Sequence, residues 1–358
     1  MSEIKSILIT GGLGYIGSHT IVELFNEEYL KLNCIQNKFE VIIVDDCSSS
    51  SDKIIPILEN MIKHKIHFYK VSLNNKSMLE EPFKNHKIHS VIHFAGKKSV
   101  NESIEKPLFY YENNFIGTFN LIETCIKYNV NNFIFSSSCT VYGKREEKVK
   151  ENEQYLLPIN PYGKSKLFIE NMLQDTAKVN KDFKVVILRY CNPVSCHYTG
   201  LIGEEPILNP TNLFPIIQNL IRGIIKELII FGNDYPTKDG TCIRDYIHVS
   251  DIAQGHIIVL NLFNKENEKL FKDNCVIYNM GTNKGYSVKE IVETYEKINN
   301  IKINYKYGNR RKGDVPISLP DCTKIYKELG WIPKITLEQI CRDSFNFIMK
   351  HPKGLFSE

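Results

Sequence analysis

The chain has 358 residues, of which 42% are apolar and 24% are charged, and its formal net charge is +4. This composition is typical of a globular protein and excludes disordered, collagen-like and coiled-coil chains. The basic residues are mostly lysines scattered among asparagine and glutamate, so we expect no nucleic-acid partner. At about 100–200 residues per domain, the length predicts two domains, or one large domain with an appendage.

The ten cysteines are dispersed, without a C-x-x-C pair or a Cys/His set at zinc spacing. We therefore expect reduced thiols, a cytoplasmic location and no metal site. Residues 1–6 lead directly into a strand pattern, and the sequence has no run of about 18 apolar residues. The sequence thus predicts neither a leader nor a membrane-spanning helix.

Short β-branched runs alternate with helical patterns along the first half of the chain. Strands are predicted over residues 7–9, 41–44, 90–94, 132–135 and 185–189. Helices are predicted over residues 16–30, 54–64 and 162–179, and residues 31–38 are interpreted as a surface insertion. This alternation predicts an α/β fold with a Rossmann-type, doubly wound parallel sheet.

The pattern becomes less regular after about residue 190, where prolines punctuate short loops. We therefore expect residues 1–190 to form the Rossmann domain. Residues 191–358 are predicted to form a smaller α/β domain, with some chain returning to the first domain.

A glycine-rich turn joins the first predicted strand to the first predicted helix. Gly11, Gly14 and Gly17 form a G-x-x-G-x-x-G pattern. Glycines let the backbone approach a pyrophosphate, and a helix N-terminus offers free N–H groups and a positive dipole end. Because the strand–turn–helix context is present, the pattern predicts a dinucleotide site rather than a turn without a ligand.

An acidic pair, Asp45 and Asp46, ends the second predicted strand. A carboxylate at this position accepts hydrogen bonds from the ribose hydroxyls of NAD and repels the 2′-phosphate of NADP. The spacing from Gly17 is longer than usual, and the insertion over residues 31–38 accounts for the excess. The sequence therefore predicts NAD as the cofactor.

Three residues are candidates for acid–base chemistry. Tyr162 and Lys166 are four residues apart in a predicted helix and so share one face. A nearby ammonium lowers the pKa of a phenol, which makes Tyr162 a candidate base. Ser138 follows the fourth predicted strand, where a hydroxyl can hydrogen-bond a substrate hydroxyl.

Motif blocks spread over most of the chain give a closer identification. The sequence resembles the extended short-chain dehydrogenase/reductase family and, within it, the UDP-galactose 4-epimerases, also called UDP-glucose 4-epimerases. The resemblance is carried by residues 11–20, 91–96, 133–138, 161–166, 188–194, 231–236, 239–241, 244–249 and 311–314. The blocks between residues 231 and 249 are much more specific to this epimerase than the first four.

The resemblance implies reversible C4 epimerisation of UDP-glucose and UDP-galactose through a transient 4-keto sugar, with NAD kept bound. Tyr162, held as a phenolate by Lys166 and the nicotinamide charge, would remove the proton of the 4-hydroxyl, and Ser138 would orient that hydroxyl. The ketone would then turn and receive hydride on its other face. The resemblance also implies a homodimer formed through helices near residues 107–129 and 161–179.

The resemblance further implies a set of contact residues. Cofactor contacts are expected at Gly11, Gly14, Tyr15, Ile16, Gly17, Asp45, Ser72, Phe94, Ala95, Gly96, Lys98, Asn113, Tyr162, Lys166 and Tyr190. UDP-sugar contacts are expected at Lys98, Ser138, Tyr162, Asn192, Asn212, Leu213, Phe231, Arg244, Tyr246, Arg311, Asp314 and Ser318. Among these, Arg244 and Arg311 would bind the diphosphate, and Asp314 would accept from the uridine ribose.

The sequence departs from the family pattern at several of these positions. Ser72 stands where an aspartate usually accepts from the adenine amino group, which predicts a weaker hold on NAD. Cys191 and the pair 195–196 replace residues near the sugar. Ser318 stands where a tyrosine narrows the sugar pocket, so we hypothesise that UDP-GlcNAc and UDP-GalNAc are interconverted as well.

Three other readings remain open. A nucleotide-sugar 4,6-dehydratase needs an Asp-Glu pair beside the hydroxyl residue, whereas Ser138 is followed here by Cys139 and Thr140. A 4-epimerase of pentose or uronate nucleotide sugars is separated only by substrate profiling. An NAD-sensing binding module would not need Ser138, Tyr162 and Lys166 together.

Overall fold

The structure is a computed structural model that describes residues 4–35, 38–145, 147–205, 210–311 and 314–357. The described strands are β1 (Ile4–Thr10), β2 (Lys38–Asp45), β3 (His67–Lys70), β4 (Ile88–His93), β5 (Asn132–Ser138), β6 (Lys184–Tyr190), β7 (Asn192–Val194), β8 (Leu228–Phe231), β9 (Ile243–Arg244), β10 (Tyr246–His248), β11 (Cys275–Met280), β12 (Tyr286–Ser287), β13 (Tyr305–Gly308) and β14 (Ile317–Ser318).

The described α-helices are α1 (Tyr15–Leu24), α2 (Glu27–Leu32), α3 (Ile55–Ile62), α4 (Lys76–Asn85), α5 (Val100–Glu105), α6 (Pro107–Tyr110), α7 (Gly117–Lys127), α8 (Pro161–Val179), α9 (Leu213–Ile221), α10 (Val249–Leu260), α11 (Val288–Asn299), α12 (Thr323–Leu329) and α13 (Leu337–Lys350). A π-helical segment, Tyr111–Ile116, joins α6 to α7. Within the described residues, no helix combines the length and the hydropathy needed to cross a lipid bilayer.

The chain divides into two compact units. The first unit comprises Met1–Gly143, Gln154–Tyr190 and Ala253–Tyr278, and the second comprises Lys144–Glu153, Cys191–Ile252 and Asn279–Glu358. This division differs from a single cut at residue 190 because residues 144–153 belong to the second unit. The chain also returns to the first unit over residues 253–278.

The first unit is built on one sheet, in which seven of the described strands lie in the order β11-β6-β5-β4-β1-β2-β3. The pairs β3–β2, β2–β1, β1–β4, β4–β5 and β5–β6 are all parallel. The predicted Rossmann-type α/β fold is therefore confirmed. The strand order reverses between β1 and β4, and ligands of such sheets bind at the carboxyl ends of the strands beside this reversal.

The sheet is buried because its central strands are apolar on both faces. Ile7, Leu8 and Ile9 of β1 are completely buried, as expected for a parallel sheet covered on both sides. Helix α8 contributes Ile169, Leu173 and Ala177 to the same core, since residues four apart lie on one face. This packing fixes the orientation of α8 on the sheet and therefore the position of its first turn.

A buried ion pair fastens α8 to the sheet. The Glu170 carboxylate of α8 accepts from Nε and Nη2 of Arg189 in β6, the shortest contact being 2.6 Å. Arg189 Nη1 donates to the Tyr142 hydroxyl at 2.9 Å, and the Ser137 hydroxyl donates to Glu170. Because each charge has several hydrogen-bond partners, its burial is compensated.

Two predicted helices have different bounds in the structure. The single helix predicted over 16–30 is interrupted, because the Asn26 side chain accepts from the Tyr29 backbone N–H and starts α2 as a separate helix. The helix predicted over 54–64 ends at Ile62, where Lys63 adopts a left-handed backbone conformation with φ of 59°.

The predicted insertion over 31–38 is only partly an insertion. Residues 31 and 32 complete α2, and Lys38 begins β2. Residues 36 and 37 lie outside the described part of the chain.

The second unit contains short paired strands and a core to which helices α9, α11 and α13 contribute. Its strands form the groups β10–β7, β12–β9–β14 and β13–β8. Its core includes Phe214 and Ile217 from α9, Tyr295 from α11, and Ile340 from α13. The unit is rich in short connections, as the prolines beyond residue 190 predicted.

Candidate active site

The glycine-rich turn lies at the carboxyl end of β1, directly before α1. Gly11 has φ of +68°, and a Cβ added there would lie 2.6 Å from the Ala95 backbone nitrogen. A Cβ on Gly17 would lie 2.5 Å from the Gly11 carbonyl oxygen. Only glycine fits either position, so the turn stays tight and the N–H groups at the start of α1 remain accessible to an anion.

Asp45, at the end of β2, is tied to this turn. Its carboxylate accepts from the Leu13 N–H at 3.2 Å, the Cys47 N–H at 3.0 Å and the Ser50 hydroxyl at 2.8 Å. Burial raises the pKa of Asp45, and these hydrogen bonds oppose the shift. Asp45 thus braces the turn and leaves further acceptor capacity at the strand end.

The other predicted cofactor contacts of the first unit surround the same strand ends. The N–H groups of Phe94 and Ala95 both donate to the Thr10 carbonyl at 3.0 Å, which positions the chain through Gly96. The Lys98 ammonium lies 5.7 Å from the centre of the Tyr15 ring, and Ile16 follows in the first turn of α1.

Ser72 and Asn113 occupy the neighbouring segments. Ser72 follows β3 and is half-buried, and its hydroxyl accepts from the Asn74 N–H at 3.3 Å. The Val71 N–H donates to the Asp45 carbonyl at 3.1 Å, which brings this segment beside the end of β2. Asn113 lies in the π-helical segment, a helix type that is frequent at functional sites.

The structure brings together the three predicted acid–base residues. Ser138 ends β5, and its hydroxyl shares a hydrogen bond with the Tyr162 hydroxyl. The Lys166 ammonium donates to the Ser136 carbonyl at 2.6 Å and lies 5.9 Å from the centre of the Tyr162 ring. Asn160 caps α8 by accepting from the backbone one turn later, so the helix starts directly before Tyr162.

The pKa values at this cluster correct one expectation. Burial raises the pKa of Tyr162 to about 12, and the hydrogen bond from Ser138 only partly opposes the shift. Burial lowers the pKa of Lys166 to about 8, and the nearby Glu170 carboxylate opposes that shift. The spacing of Tyr162 and Lys166 had suggested that Lys166 lowers the pKa of the phenol. In the chain alone, the pKa of Tyr162 instead lies above its ordinary value.

A buried polar chain beneath the site was missed by the sequence analysis. Thr10 Oγ1 lies 2.6 Å from His93 Nδ1, and His93 Nε2 lies 2.7 Å from Thr118 Oγ1. The Thr118 hydroxyl donates to the Asn114 carbonyl at 2.5 Å, so it accepts from His93 Nε2–H, and Nδ1 accepts from Thr10. Burial, with a smaller contribution from Lys166, lowers the pKa of His93 to about 3, which keeps the imidazole neutral.

Asn114 extends this chain towards α8. Its side chain accepts from the Lys97 N–H at 2.8 Å and donates to the Lys97 carbonyl at 3.0 Å. It also lies 3.4 Å from the Ser165 hydroxyl, which itself donates to the Tyr162 carbonyl at 2.7 Å. The ends of β1 and β4 are thus linked by hydrogen bonds to the first turn of α8.

Tyr190, the last predicted cofactor contact of this unit, ends β6. Its hydroxyl lies 2.6 Å from His256 Nε2 and also shares a hydrogen bond with Ser136. Burial raises the pKa of Tyr190. His256 was not predicted, because a histidine in an apolar helical pattern gives no sequence signal for a polar partner.

The second unit brings together most of the residues predicted to bind the nucleotide. Arg311 Nε donates to Asp314 at 2.9 Å, and Arg244 Nη2 lies 3.6 Å from the other oxygen of the same carboxylate. The Arg311 guanidinium stands 5.0 Å from the centre of the Phe231 ring. Two guanidinium groups share one carboxylate, so the group carries an excess positive charge suited to an anion.

The remaining predicted residues of the second unit lie on nearby or separate elements. Ser318 is half-buried on β14 and pairs in register with Arg244 on β9. Asn192 on β7 pairs with the buried Tyr246 on β10. The residues Asn212 and Leu213 begin α9.

Asp245, between Arg244 and Tyr246, is a buried residue that the sequence analysis did not single out. It accepts from the Thr282 N–H at 2.9 Å, the Thr282 hydroxyl at 2.7 Å and the Asn283 N–H at 2.9 Å. It therefore anchors the turn after β11 beside the strand end that carries Arg244.

The parallel sheet, the glycine turn and the Ser138–Tyr162–Lys166 cluster define a Rossmann-type protein of the short-chain dehydrogenase/reductase class. The family described as GDP-mannose 4,6 dehydratase matches residues 8–344. A curated relative, UDP-glucose 4-epimerase from Haemophilus influenzae, is 43% identical over 98% of this chain and 99% of its own length.

Two solved structures are similar along nearly the whole chain. UDP-glucose 4-epimerase from Bifidobacterium longum, in complex with NAD+ and UDP, matches with a TM-score of 0.88 and 38% identity over 97% of this chain and 99% of that one. The UDP-Glc/GlcNAc 4-epimerase from Campylobacter jejuni has a TM-score of 0.79 and 37% identity at the same two coverages. The chain belongs to the UDP-glucose 4-epimerase family, which confirms the resemblance noted in the sequence.

The depressed pKa of Lys166 gives a testable pH dependence. Its folded pKa is about 8 against an ordinary value of 10.5, so the unfolded chain binds more protons between these values. This group therefore makes the free energy of unfolding rise with pH from about 8 to about 10.5. We expect Lys166→Met to flatten that rise in urea unfolding measured at several pH values.

The matched control is Lys164→Met, an exposed position on the same helix that should keep the slope of the wild-type protein. A Lys166→Met slope equal to that of the wild-type protein would show that Lys166 titrates normally.

Proposed function

We propose that this protein is an NAD-dependent UDP-glucose 4-epimerase that interconverts UDP-glucose and UDP-galactose. The observation that carries the proposal is the hydrogen-bonded Ser138–Tyr162 pair with Lys166 beside it, on the sheet whose β1 ends in the glycine turn. Similar solved epimerase structures, one of them in complex with NAD+ and UDP, support it.

The residues of the first unit fit NAD. The glycine turn has no room for a side chain at Gly11 or Gly17 and presents the start of α1 to a pyrophosphate. Asp45 would accept from the adenine-side ribose hydroxyls, Lys98 would contact the nicotinamide side and Asn113 the ribose side, and Tyr190 would be a further cofactor contact. NAD, when bound, supplies the hydride acceptor and donor for C4 of the sugar.

The acid–base work falls to the chain's own residues. Tyr162 Oη would take the proton of the 4-hydroxyl and return it after the sugar has turned over. The Ser138 hydroxyl, which shares a hydrogen bond with the Tyr162 hydroxyl, would orient the 4-hydroxyl of the sugar towards Tyr162. Lys166, with a pKa of about 8, is mostly charged at neutral pH and favours the phenolate over the neutral phenol.

The diphosphate would bind to the two guanidinium groups of the second unit. Arg244 and Arg311 already converge on Asp314, which keeps both side chains oriented before any ligand arrives. Asp314 would then accept from the uridine ribose hydroxyls. Guanidinium groups suit this role because their N–H donors match the oxygens of a phosphate in pairs.

The experiment that tests the proposal is a substrate assay on purified protein, with and without added NAD. UDP-galactose, UDP-GlcNAc, UDP-xylose and UDP-glucuronate are offered separately, and products are resolved by NMR. Conversion of UDP-galactose to UDP-glucose is expected. Greater activity with added NAD would support a weakened adenine contact at Ser72, and conversion of UDP-xylose or UDP-glucuronate alone would support the pentose or uronate alternative.

Tyr162→Phe should lower kcat by roughly 10²–10⁴-fold, because it removes the group that accepts the proton. Binding of NAD, followed by calorimetry, should be nearly unchanged. The control Tyr198→Phe, at an exposed ring of the second unit, should leave both quantities unaltered. Full turnover by Tyr162→Phe would refute the assigned base, and NAD binding without turnover in the wild-type protein would favour a binding module.

The family that matches residues 8–344 is described as GDP-mannose 4,6 dehydratase. The residues beside Ser138, however, do not suit elimination of water. Thr140 donates its hydroxyl to Ser138 at 3.0 Å, and Cys139 lies 3.4 Å from the Arg189 carbonyl. Neither side chain belongs to the Asp-Glu pair that this elimination needs to protonate the leaving hydroxyl. The same NMR assay would detect a dehydrated keto sugar if this reading were correct.

We propose that UDP-GlcNAc and UDP-GalNAc are also substrates. The support comes from Ser318, which is small, half-buried and paired in register with Arg244. A small side chain at this position leaves more room beside the diphosphate than a tyrosine would, which suits a 2-acetamido group. The similar C. jejuni structure is that of a UDP-Glc/GlcNAc 4-epimerase.

Ser318→Tyr should remove most activity on UDP-GlcNAc while activity on UDP-glucose changes little, because a phenol ring would occupy the additional space. Ser318→Ala serves as the control and should keep both activities. The measurement is kcat/KM for each sugar. An equal loss on both sugars in Ser318→Tyr would show that the position does not select the substituent.

We propose a homodimer formed through the outer faces of α6, α7 and α8. Their large apolar side chains are exposed, with Leu108 at 80% and Phe119 at 43%. Phe109, Ile116 and Phe168 add to the same group of helices. Several large exposed apolar side chains on neighbouring helices are typical of a protein interface.

Replacing Phe119 with aspartate should shift the protein towards monomer in sedimentation velocity, because a buried charge without a partner opposes association. Leu32→Asp, at an exposed apolar residue on α2, is the matched control and should leave the mass unchanged. A monomeric wild-type protein would refute the dimer.

We also propose a cytosolic location, for which the ten free cysteines are the support.

A further inference from the structure

A group of potential metal ligands lies in the first unit, apart from the residues discussed so far. Glu40 on β2, His67 at the start of β3 and His86 after α4 each offer one ligand atom, and the three atoms lie within 4.8 Å of one another. His67 Nε2 is 3.1 Å from Glu40 Oε1, and His86 Nδ1 is 3.9 Å from the same oxygen. From these contacts we propose that Glu40, His67 and His86 bind a zinc ion.

The distances suit such an ion. Zinc binds imidazole nitrogen and carboxylate oxygen at about 2.0–2.2 Å, so tetrahedral ligands stand about 3.4 Å apart. The His67–Glu40 separation is close to that value, and the other separations need only small rotations. His67 and Glu40 are partly exposed, which leaves their side chains free to adjust.

The strand register explains why these residues meet. Ile42 of β2 pairs with His67 of β3, and Glu40 is two residues before Ile42. Residues two apart on a strand point to the same face, so Glu40 and His67 share one face of adjacent strands. His86 ends α4 and approaches from the connection to β4.

Each of two ligands is oriented by a further polar group. The Ser6 hydroxyl donates to Glu40 Oε2 at 2.5 Å, which leaves Oε1 for the metal. The Tyr69 hydroxyl lies 3.0 Å from His86 Nε2 and also accepts from Asn85 at 3.2 Å. With Nε2 protonated towards Tyr69, Nδ1 presents its lone pair to the metal, the arrangement that metal-binding histidines usually show.

Ligand chemistry selects the class of metal. Two imidazoles and one carboxylate suit zinc and related transition metals, whereas magnesium and calcium prefer all-oxygen ligands. Three protein ligands leave a fourth position for water.

The site lies five residues before Asp45 along β2, about 16 Å away at about 3.3 Å per residue. It therefore lies at the amino ends of the strands, opposite the glycine turn.

The sequence analysis expected no metal because it searched for regular Cys and His spacings. The three ligands are separated by 27 and 19 residues, and only the pairing of β2 with β3 brings them together. A second group in the described chain, Cys191, Asp245 and Cys322, also has metal-ligand spacing but is less suited to a metal. Its carboxylate already receives several hydrogen bonds from the protein.

The test is titration of chelator-treated full-length protein with Zn²⁺ by calorimetry and with Co²⁺ by visible absorption. One metal ion per chain is expected at this site, with a cobalt spectrum that lacks the strong charge-transfer bands of thiolate ligands. His67→Gln and Glu40→Gln should each weaken Zn²⁺ binding at least tenfold. Tyr69→Phe should weaken it by roughly tenfold through the orientation of His86.

His64→Gln is the matched control, since this histidine lies in the same unit and bonds to the Ile62 carbonyl. It should bind zinc as the wild-type protein does. Circular dichroism and NAD binding would check that every variant folds. The proposal is overturned if wild-type protein binds no zinc, if His67→Gln binds it equally well, or if cobalt shows thiolate bands; the contact between Glu40 and His67 would then be only a surface ion pair.

Discussion

The geometry of the first unit depends on the close approach of β1 and β4 at their carboxyl ends. The absence of a side chain at Gly11 lets the backbone reach Ala95, and the Thr10 carbonyl accepts two N–H groups from the neighbouring strand end. Neutral His93 then joins Thr10 to Thr118 inside the core. A charged imidazole would reverse the direction of the Thr10 hydrogen bond, because both of its nitrogens would be donors. Burial, by keeping His93 neutral, therefore maintains the direction of the whole polar chain.

The same low-dielectric interior sets the chemistry of the acid–base cluster. Burial raises the pKa of Tyr162 and lowers that of Lys166, so it shifts both groups towards their neutral forms, although Lys166, with a pKa of about 8, stays mostly charged at neutral pH. Glu170 counteracts this effect at Lys166, while its own charge is balanced by Arg189. The ion pair that fastens α8 to the sheet thus also helps to keep a positive charge near Tyr162. A phenol in this environment becomes a useful base only when positive charge is added nearby, which links proton transfer to the charge of the bound cofactor.

The parts of the site that could be predicted from the sequence are those whose chemistry is local. The glycine turn and the four-residue spacing of Tyr162 and Lys166 each depend on one element, so their patterns survive in the sequence. Partners that meet only through strand order were missed. His93, Asn114 and Asp245 are examples, because nothing near them in the sequence indicates which group each one contacts. The helix break at Asn26 was missed for a different reason: the apolar pattern continues through the cap and hides it.

The two edges of the parallel sheet have different constraints. At the carboxyl edge, Gly11, Asp45 and Ser138 each contact a neighbouring segment closely, so a change at any of them disturbs the segment it contacts. At the amino edge, Glu40 and His67 are held mainly by strand register and are partly exposed. Side chains there can be replaced without moving the carboxyl ends of the same strands. The buried residues between the two edges determine the register of the strands. A parallel sheet can therefore acquire a metal site at the amino ends of its strands with little effect on a nucleotide site at their carboxyl ends.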